Sequence, residues 1–217
     1  MNFKIARDGW GIIGKFFALL LFFIALLVFN EPLIIFFIVV ASVLFLFSLY
    51  FFRDPERETP EGDDLVISPA DGKIIKIEEV YDDHYRNKQS KVISVFMNVF
   101  SVHVNRFPIS GTVEYTKYHK GKFMAAWDEK ASTDNEHSII GIKGKYDRKV
   151  TFKQIAGLVA RRIVYNCEVG DIAEKGDRFG LIKFGSRLDI IVPLETEIKV
   201  AIGDKVSAGE TILAEMK

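Results

Sequence analysis

The chain has 217 residues, 49% hydrophobic and 27% charged, with 29 basic and 29 acidic side chains that cancel to a formal charge of zero. That balance excludes the basic excess of a nucleic-acid protein; the charged fraction excludes a wholly membrane-embedded chain, and the apolar content a disordered one. A lone cysteine, Cys167, excludes an internal disulfide framework and a CxxC redox or zinc site, as expected of a reducing compartment.

Residues 1–52 hold only five formal charges, Lys4, Arg7, Asp8, Lys15 and Glu31. Phe16–Phe29 is an unbroken apolar run, and Leu33–Phe52 is a second, broken only by Ser42 and Ser48. A 20-residue helix is about 30 Å long, the thickness of a bilayer core. Two arrangements fit. Both runs cross (about 12–29 and 33–52) as a helical hairpin turning at Asn30-Glu31-Pro32, or the first lies partly in the interface and only the second crosses. The first run becomes a span if Lys15 snorkels. A cleaved signal peptide fits poorly, because the apolar stretch is too long and no small-residue cleavage site follows it. Lys4, Arg7 and Lys15 precede the runs and Arg53 and Arg57 follow them. The positive-inside rule therefore predicts both ends in the cytoplasm, hence a cytoplasmic (inner) membrane protein with the following domain on the cytoplasmic side.

Residues 53–217 are enough for one domain with its own core. After the charged linker Arg53–Arg57, short Val/Ile/Phe-rich runs alternate with Gly, Pro and Asp. They predict strands at Leu65–Ile67, Lys73–Val80, Val92–Asn105, Gly111–Tyr118, Ser138–Ile142, Lys149–Ile155, Arg162–Tyr165, Leu181–Val192 and Glu197–Val200, with a short helix at Ile155–Ile163. The expected class is a mainly β domain, a flattened barrel or sandwich, behind a transmembrane helical hairpin. A weak repeat, Val169-Gly170-Asp171 to Gly176 and Ile202-Gly203-Asp204 to Gly209, has the hammerhead pattern of biotinyl and lipoyl domains. The terminal Met216-Lys217 is not a carrier lysine, since such a lysine sits at a hairpin tip between two half-domains.

Three segments carry candidate chemistry. In Ser68-Pro69-Ala70-Asp71-Gly72, Asp71 sits in a turn, where a carboxylate ordinarily caps nearby amides. In Phe100-Ser101-Val102-His103-Val104-Asn105-Arg106, strand alternation puts Ser101, His103 and Asn105 on a polar face. In Phe184-Gly185-Ser186-Arg187-Leu188-Asp189-Ile190, Ser186 shares the apolar face, and Gly185 lets a group approach its carbonyl. His84 and His119 look loop-borne or solvated, and the four histidines show no metal-ligand spacing.

These segments, with Asn135-Glu136-His137 and the apolar N-terminus, are similar in order and spacing to the short bacterial and archaeal form of the phosphatidylserine decarboxylase proenzyme family. Phe184-Gly185-Ser186-Arg187 is the most specific match. The resemblance implies a self-processing, pyruvoyl-dependent decarboxylase. Ser186 attacks the Gly185 carbonyl, and the chain parts into a β chain, 1–185, and an α chain, 186–217. The position of Ser186 becomes a covalent pyruvoyl cofactor whose ketone forms a Schiff base with the substrate amine and takes up electrons as CO2 leaves. His103 is implied as the base that activates Ser186, and Asp71 as its orienting partner. Ser101 stands where some longer relatives carry an Asp, so a second carboxylate is unsupported. The implied substrate is a serine phospholipid of the bilayer, phosphatidylserine or its archaeal counterpart archaetidylserine. Arg106, Asn135, His137 and Arg187, with Lys122, are candidates to meet its headgroup. No metal and no nucleic acid are implied, and a homodimer is compatible. Two other readings stay open. A membrane-anchored hammerhead adaptor would need coiled-coil heptads, which are absent. A serine hydrolase using Ser186, His103 and Asp71 would usually need a G-x-S-x-G elbow, also absent.

Overall fold

A computed structural model describes residues 4–29, 31–124, 126–127, 131–158, 162–183 and 185–217. The chain divides into two compact units, Met1–Glu56 and Arg57–Lys217.

In the first unit, 3-10 turns at Arg7–Gly9 and Leu26–Phe29 flank α1 (Trp10–Ala25), and α2 runs from Pro32 to Phe51. Both helices are long and apolar enough to cross a membrane. Pro32 opens α2, where its missing N–H breaks no helical bond. Asn30, in the expected turn, lies outside the described residues. Stacked Phe23 and Phe37 (5.1 Å) and tilted Phe17 and Phe45 (5.4 Å) join the helices side by side and antiparallel. At the outer ends Ala6 N donates to Phe52 O and Asp54 N to Lys4 O, both at 2.8 Å. Much of the remaining surface, Val28, Phe36 and Leu46 among it, is apolar and exposed, a surface suited to lipid rather than water.

The second unit is mainly β, as expected. Its elements in chain order are β1 (Leu65–Ile67), β2 (Gly72–Asp82), β3 (Lys88–Met97), β4 (Val104–Arg106), β5 (Gly111–His119), α3 (Ala131–Asp134), β6 (His137–Lys143), β7 (Lys149–Ala156), β8 (Ile163–Tyr165), β9 (Ile172–Ala173), β10 (Arg178–Ile182), β11 (Ser186–Pro193), β12 (Glu197–Ile198), β13 (Lys205–Val206) and β14 (Ile212–Glu215). An eight-stranded sheet has the order β13-β2-β3-β11-β7-β6-β5-β9, and two three-stranded sheets have the orders β1-β14-β12 and β4-β10-β8. The core draws Val95 and Met97 from β3, Leu188, Ile190 and Val192 from β11, and Phe152 from β7. Phe179 and Leu213 come to it from the smaller sheets.

Two expected strands are in fact broken. Val92–Asn105 is β3 and β4 separated by a turn, because the Asn98 side chain accepts the Phe100 N–H (2.8 Å) and its carbonyl accepts Ser101 N–H (3.0 Å). Phe100 is exposed at that turn, and Ser101, expected on the polar face of a strand, lies in the turn instead. Leu181–Val192 is β10 and β11, which belong to different sheets. Phe184 lies outside the described residues, and Gly185 has φ +63°, a left-handed value open to glycine. The helix expected at Ile155–Ile163 is overturned at its ends, since Ile155 and Ala156 finish β7 and Ile163 begins β8; residues 159–161 lie outside the described residues.

The hammerhead repeat is realised bond for bond. Asp171 Oδ2 accepts Glu168 N–H and Asp204 Oδ2 accepts Ala201 N–H, each at 2.8 Å. Gly170 N–H donates to Val113 O and Gly203 N–H to Ile74 O, again at 2.8 Å. The two copies carry β9 and β13, the two edge strands of the eight-stranded sheet.

Candidate active site

Strand alternation sorts β11 into two faces. Ser186, Leu188, Ile190 and Val192 point to the core, and Arg187, Asp189 and Ile191 point the other way. Ser186 is fully buried and is bracketed by Met97 on β3 and Ala156 on β7. Its Oγ lies 3.3 Å from Met97 Sδ, a weak acceptor that leaves the hydroxyl proton open to a stronger base. Asn105 Nδ2 reaches the same sulfur at 3.8 Å, while Asn105 Oδ1 accepts from Gln154 Nε2 (2.8 Å) and Gln154 Oε1 accepts from Ser138 Oγ (2.8 Å). Ser186, Met97, Asn105, Gln154 and Ser138 thus form a buried row beside the Gly185–Ser186 bond.

His103 is fully buried just before β4. Its Nδ1 is 2.9 Å from Ser101 O. A carbonyl only accepts, so Nδ1 carries the hydrogen and Nε2 is the basic nitrogen of the neutral ring. Asn105, two residues further on and within β4, contacts through its amide the sulfur that Ser186 also contacts. Asp71 lies in the turn between β1 and β2. Ile67 N–H donates to Pro108 O and Arg106 N–H to Pro69 O, both at 3.0 Å. These two rungs run the Asp71 turn antiparallel beside the β4 segment. The Asp71 carboxylate accepts Arg57 Nη2 on both oxygens (3.1 and 2.9 Å) and Ala208 N–H at 2.7 Å. Arg57 also meets Glu210 at 2.8 Å.

The closing turns of the two repeats each hold one of the singled-out residues. Ala208, in the second copy, donates to Asp71, and Gly176 O, in the first, accepts from Arg106 Nη1 at 2.8 Å. Repeat turns and functional residues, separate features in the sequence, are one construction.

Gly185 is followed closely by another residue that the sequence did not single out. A Cβ added to Gly157, just past β7, would lie 2.3 Å from Gly185 O and 3.2 Å from Ala126 Cβ. The carbonyl expected to be attacked therefore rests against a bare Cα. A glycine directly after a β-rich run was the available signal, and it is too common to be read alone.

The other headgroup candidates sit on or beside the far face of the sheet. Arg187 is buried, with Nε 2.8 Å from Asp189 Oδ1 and Nη2 2.9 Å from Asp189 Oδ2. It also donates to Ala126 O (3.3 Å) and to Ser132 Oγ. Asp189 accepts from Ser94 Oγ at 2.6 Å. Asn135 donates to Met124 O (2.9 Å) and Ala156 O (2.7 Å) and accepts Met124 N–H (2.9 Å), tying the 122–135 segment to the end of β7. His137 Nδ1 is 2.7 Å from Asn135 O. His137 lines an open cleft of about 610 Å³ with His84, His119, Lys153 and Asp189. Burial pushes the His137 imidazole and the Lys153 amine below their ordinary values. Lys122 is exposed and pairs with Asp134 at 3.4 Å. Among the described residues no group of histidine, cysteine and carboxylate side chains is arranged to hold a metal.

The phosphatidylserine decarboxylase family model matches residues 44–214. The phosphatidylserine decarboxylase proenzyme of Oleidesulfovibrio alaskensis is 46% identical over 215 residues, covering 99% of this chain and 95% of the relative. That of Symbiobacterium thermophilum is 42% identical over 212 residues, 98% and 95% of the two chains. That of Ehrlichia chaffeensis is 49% identical over 177 residues, 81% and 78%.

Proposed function

This chain belongs to the phosphatidylserine decarboxylase family, and we propose that it cuts itself between Gly185 and Ser186 and then decarboxylates a serine phospholipid at the membrane surface. What supports the cut is the junction itself: a buried hydroxyl directly after a left-handed glycine, at the head of a strand paired on both sides.

The steps follow from the groups present. Nε2 of His103 takes the Ser186 hydroxyl proton, and Asp71 orients and charge-stabilises the imidazole. Oγ bonds to the Gly185 carbonyl carbon, the amide C–N bond breaks, and the released amine takes a proton, leaving an ester. Loss of the Ser186 Cα proton then expels Gly185 as a carboxylate. Hydrolysis of the remaining dehydroalanine releases ammonia and leaves a pyruvoyl group at the head of the α chain. The residues present fit such a group: β3 and β7 flank position 186 and would keep the new chain end in its ladder after the peptide bond is lost. When formed, the pyruvoyl group supplies a carbonyl that engages the substrate amine and accepts the electron pair released with CO2. His103 is placed in this scheme to return a proton to the product.

Arg106, Asn135, His137 and Arg187 are all buried in the uncleaved chain, where each has partners within the fold. Headgroup contact by any of them follows the cut and the rearrangement it permits. The apolar helices hold the enzyme at the bilayer that contains its substrate, phosphatidylserine or archaetidylserine, with the catalytic unit on the cytoplasmic side of the inner membrane.

Intact-mass spectrometry and CO2 release test the reading. The expected result is two chains, 1–185 and 186–217, with a blocked amino end on the smaller. Ser186→Ala leaves one full-length chain that releases no CO2. A solitary full-length chain that still decarboxylates the lipid ends the proposal, and an uncut chain with esterase activity favours the hydrolase.

A further inference from the structure

Three large apolar side chains are exposed at the end of the sheet where the scissile bond lies. Ser186 is flanked by the last residues of two strands, Met97 of β3 and Ala156 of β7. Three residues beyond Met97 is Phe100, 62% exposed; two beyond Ala156 is Leu158, 65% exposed. The third is Trp127, 66% exposed. Its indole meets Phe96 edge-on at 5.7 Å, and Phe96 is the ladder partner of Arg187. Arg187 in turn donates to the carbonyl of Ala126, the residue before Trp127. Phe100 sits in the turn that the Asn98 side chain orders by accepting its backbone N–H. Other exposed apolar residues of the second unit lie on other turns, such as Tyr146 and Ile202, or on strands, such as Tyr81 and Ile172.

We propose that Phe100, Trp127 and Leu158 form an apolar rim that enters the headgroup–acyl boundary of a lipid bilayer and turns the Ser186 end of the sheet toward the membrane surface. This rests on the decarboxylase reading, because a substrate with two long tails is what such a rim would serve. A lipid surface is the occupant chosen for three reasons. The chain carries two helices of membrane-spanning length and composition. Only residues 52–56 separate the end of α2 from Arg57, the first residue of the second unit. Trp and Phe on a few separate protrusions suit an interface of headgroups.

The test uses the full chain in vesicles of phosphatidylcholine and phosphatidylglycerol. The protein has two tryptophans, so Trp10→Phe leaves Trp127 as the sole indole. Trp127 emission is expected to shift to the blue, to be quenched by lipids brominated near the carbonyls, and to be shielded from iodide. Full access to iodide with no quenching by any brominated lipid overturns the proposal. So does a blue shift that grows with protein concentration in detergent alone, which marks a second copy as the occupant. The variant Phe100→Ser/Trp127→Ser/Leu158→Ser gives the second measurement. The ratio of its turnover on long-chain substrate in vesicles to that on a short-chain monomeric analogue is expected to fall about tenfold or more; an unchanged ratio overturns the rim. Failure of the underlying reading looks different: the unsubstituted chain then releases CO2 from neither substrate, whatever Trp127 reports.

Discussion

The two faces of β11 are built from the same eight residues and behave in opposite ways. The core face is apolar apart from Ser186 at its head, whose hydroxyl meets, among the described residues, only a thioether sulfur at hydrogen-bonding distance. The far face carries an arginine and an aspartate, both buried and both saturated by one another, by serines and by a backbone carbonyl. A buried charge pair is costly to desolvate and is tolerated when every donor and acceptor is used. A nucleophile needs the reverse, a proton that is not tightly held. One strand thus presents a loosely held hydroxyl to one side and a tightly bonded anchor to the other, in consecutive residues. In the proposed cut, the anchor holds the segment that must stay in place when the bond before Ser186 breaks.

This contrast can be broken from either side. The largest stability effect is expected from Asp189→Asn, which leaves the Arg187 guanidinium buried without its counter-charge. A loss of about 3–5 kcal/mol is expected, read as a fall in denaturation midpoint in detergent, with Arg187→Met/Asp189→Leu recovering much of it. A loss no larger than that of an exposed pair would show the anchor to be idle. Next comes Gly157→Ala. Its methyl group would collide with the Gly185 carbonyl, and displacing a reacting atom by about 1 Å costs on the order of a hundredfold in rate. The full-length band on a gel should persist correspondingly longer while the fold stays intact; maturation at the normal rate would remove Gly157 from the site.

The smallest effect is the pH dependence of the far face. Burial lowers the His137 pKa in the folded chain, with His119, Lys153 and His84 adding like-charge repulsion and the Asn135 carbonyl opposing them. The unfolded chain therefore binds the proton first as pH falls. Stability from this source is level above the ordinary histidine value of about 6.5 and declines below it. His84 and His119 shift the same way. Thermal midpoints should fall between pH 7 and pH 5, and His137→Gln should flatten part of that slope; an unchanged slope would put the dependence on the other two.

Much of this was legible along the chain. The apolar runs, the β-rich remainder and the paired Gly-Asp turns are local patterns, and local physics reproduces them: φ is +101° at Gly170 and +103° at Gly203, with matching bonds around each. Misplaced strand limits came from turns that apolar sequence conceals. Val99 and Phe100 look like strand, yet the Asn98 side chain bonds the backbone and ends β3. Ile182 and Leu188 look continuous, yet Gly185 turns the chain from one sheet to another.

Alternation along β11 was enough to set Ser186 apart from Arg187, because a strand has a period of two and needs no partner to have two sides. What those sides face was not available from periodicity. That Gly157 lies against Gly185 O, that Asp71 is held by Arg57 and Ala208, that Arg187 donates to Ala126 O and that Asp189 accepts from Ser94 are contacts between residues far apart in the chain. Only strand register and sheet packing decide them, because burial and hydrogen-bond satisfaction belong to the assembled fold and not to any single segment.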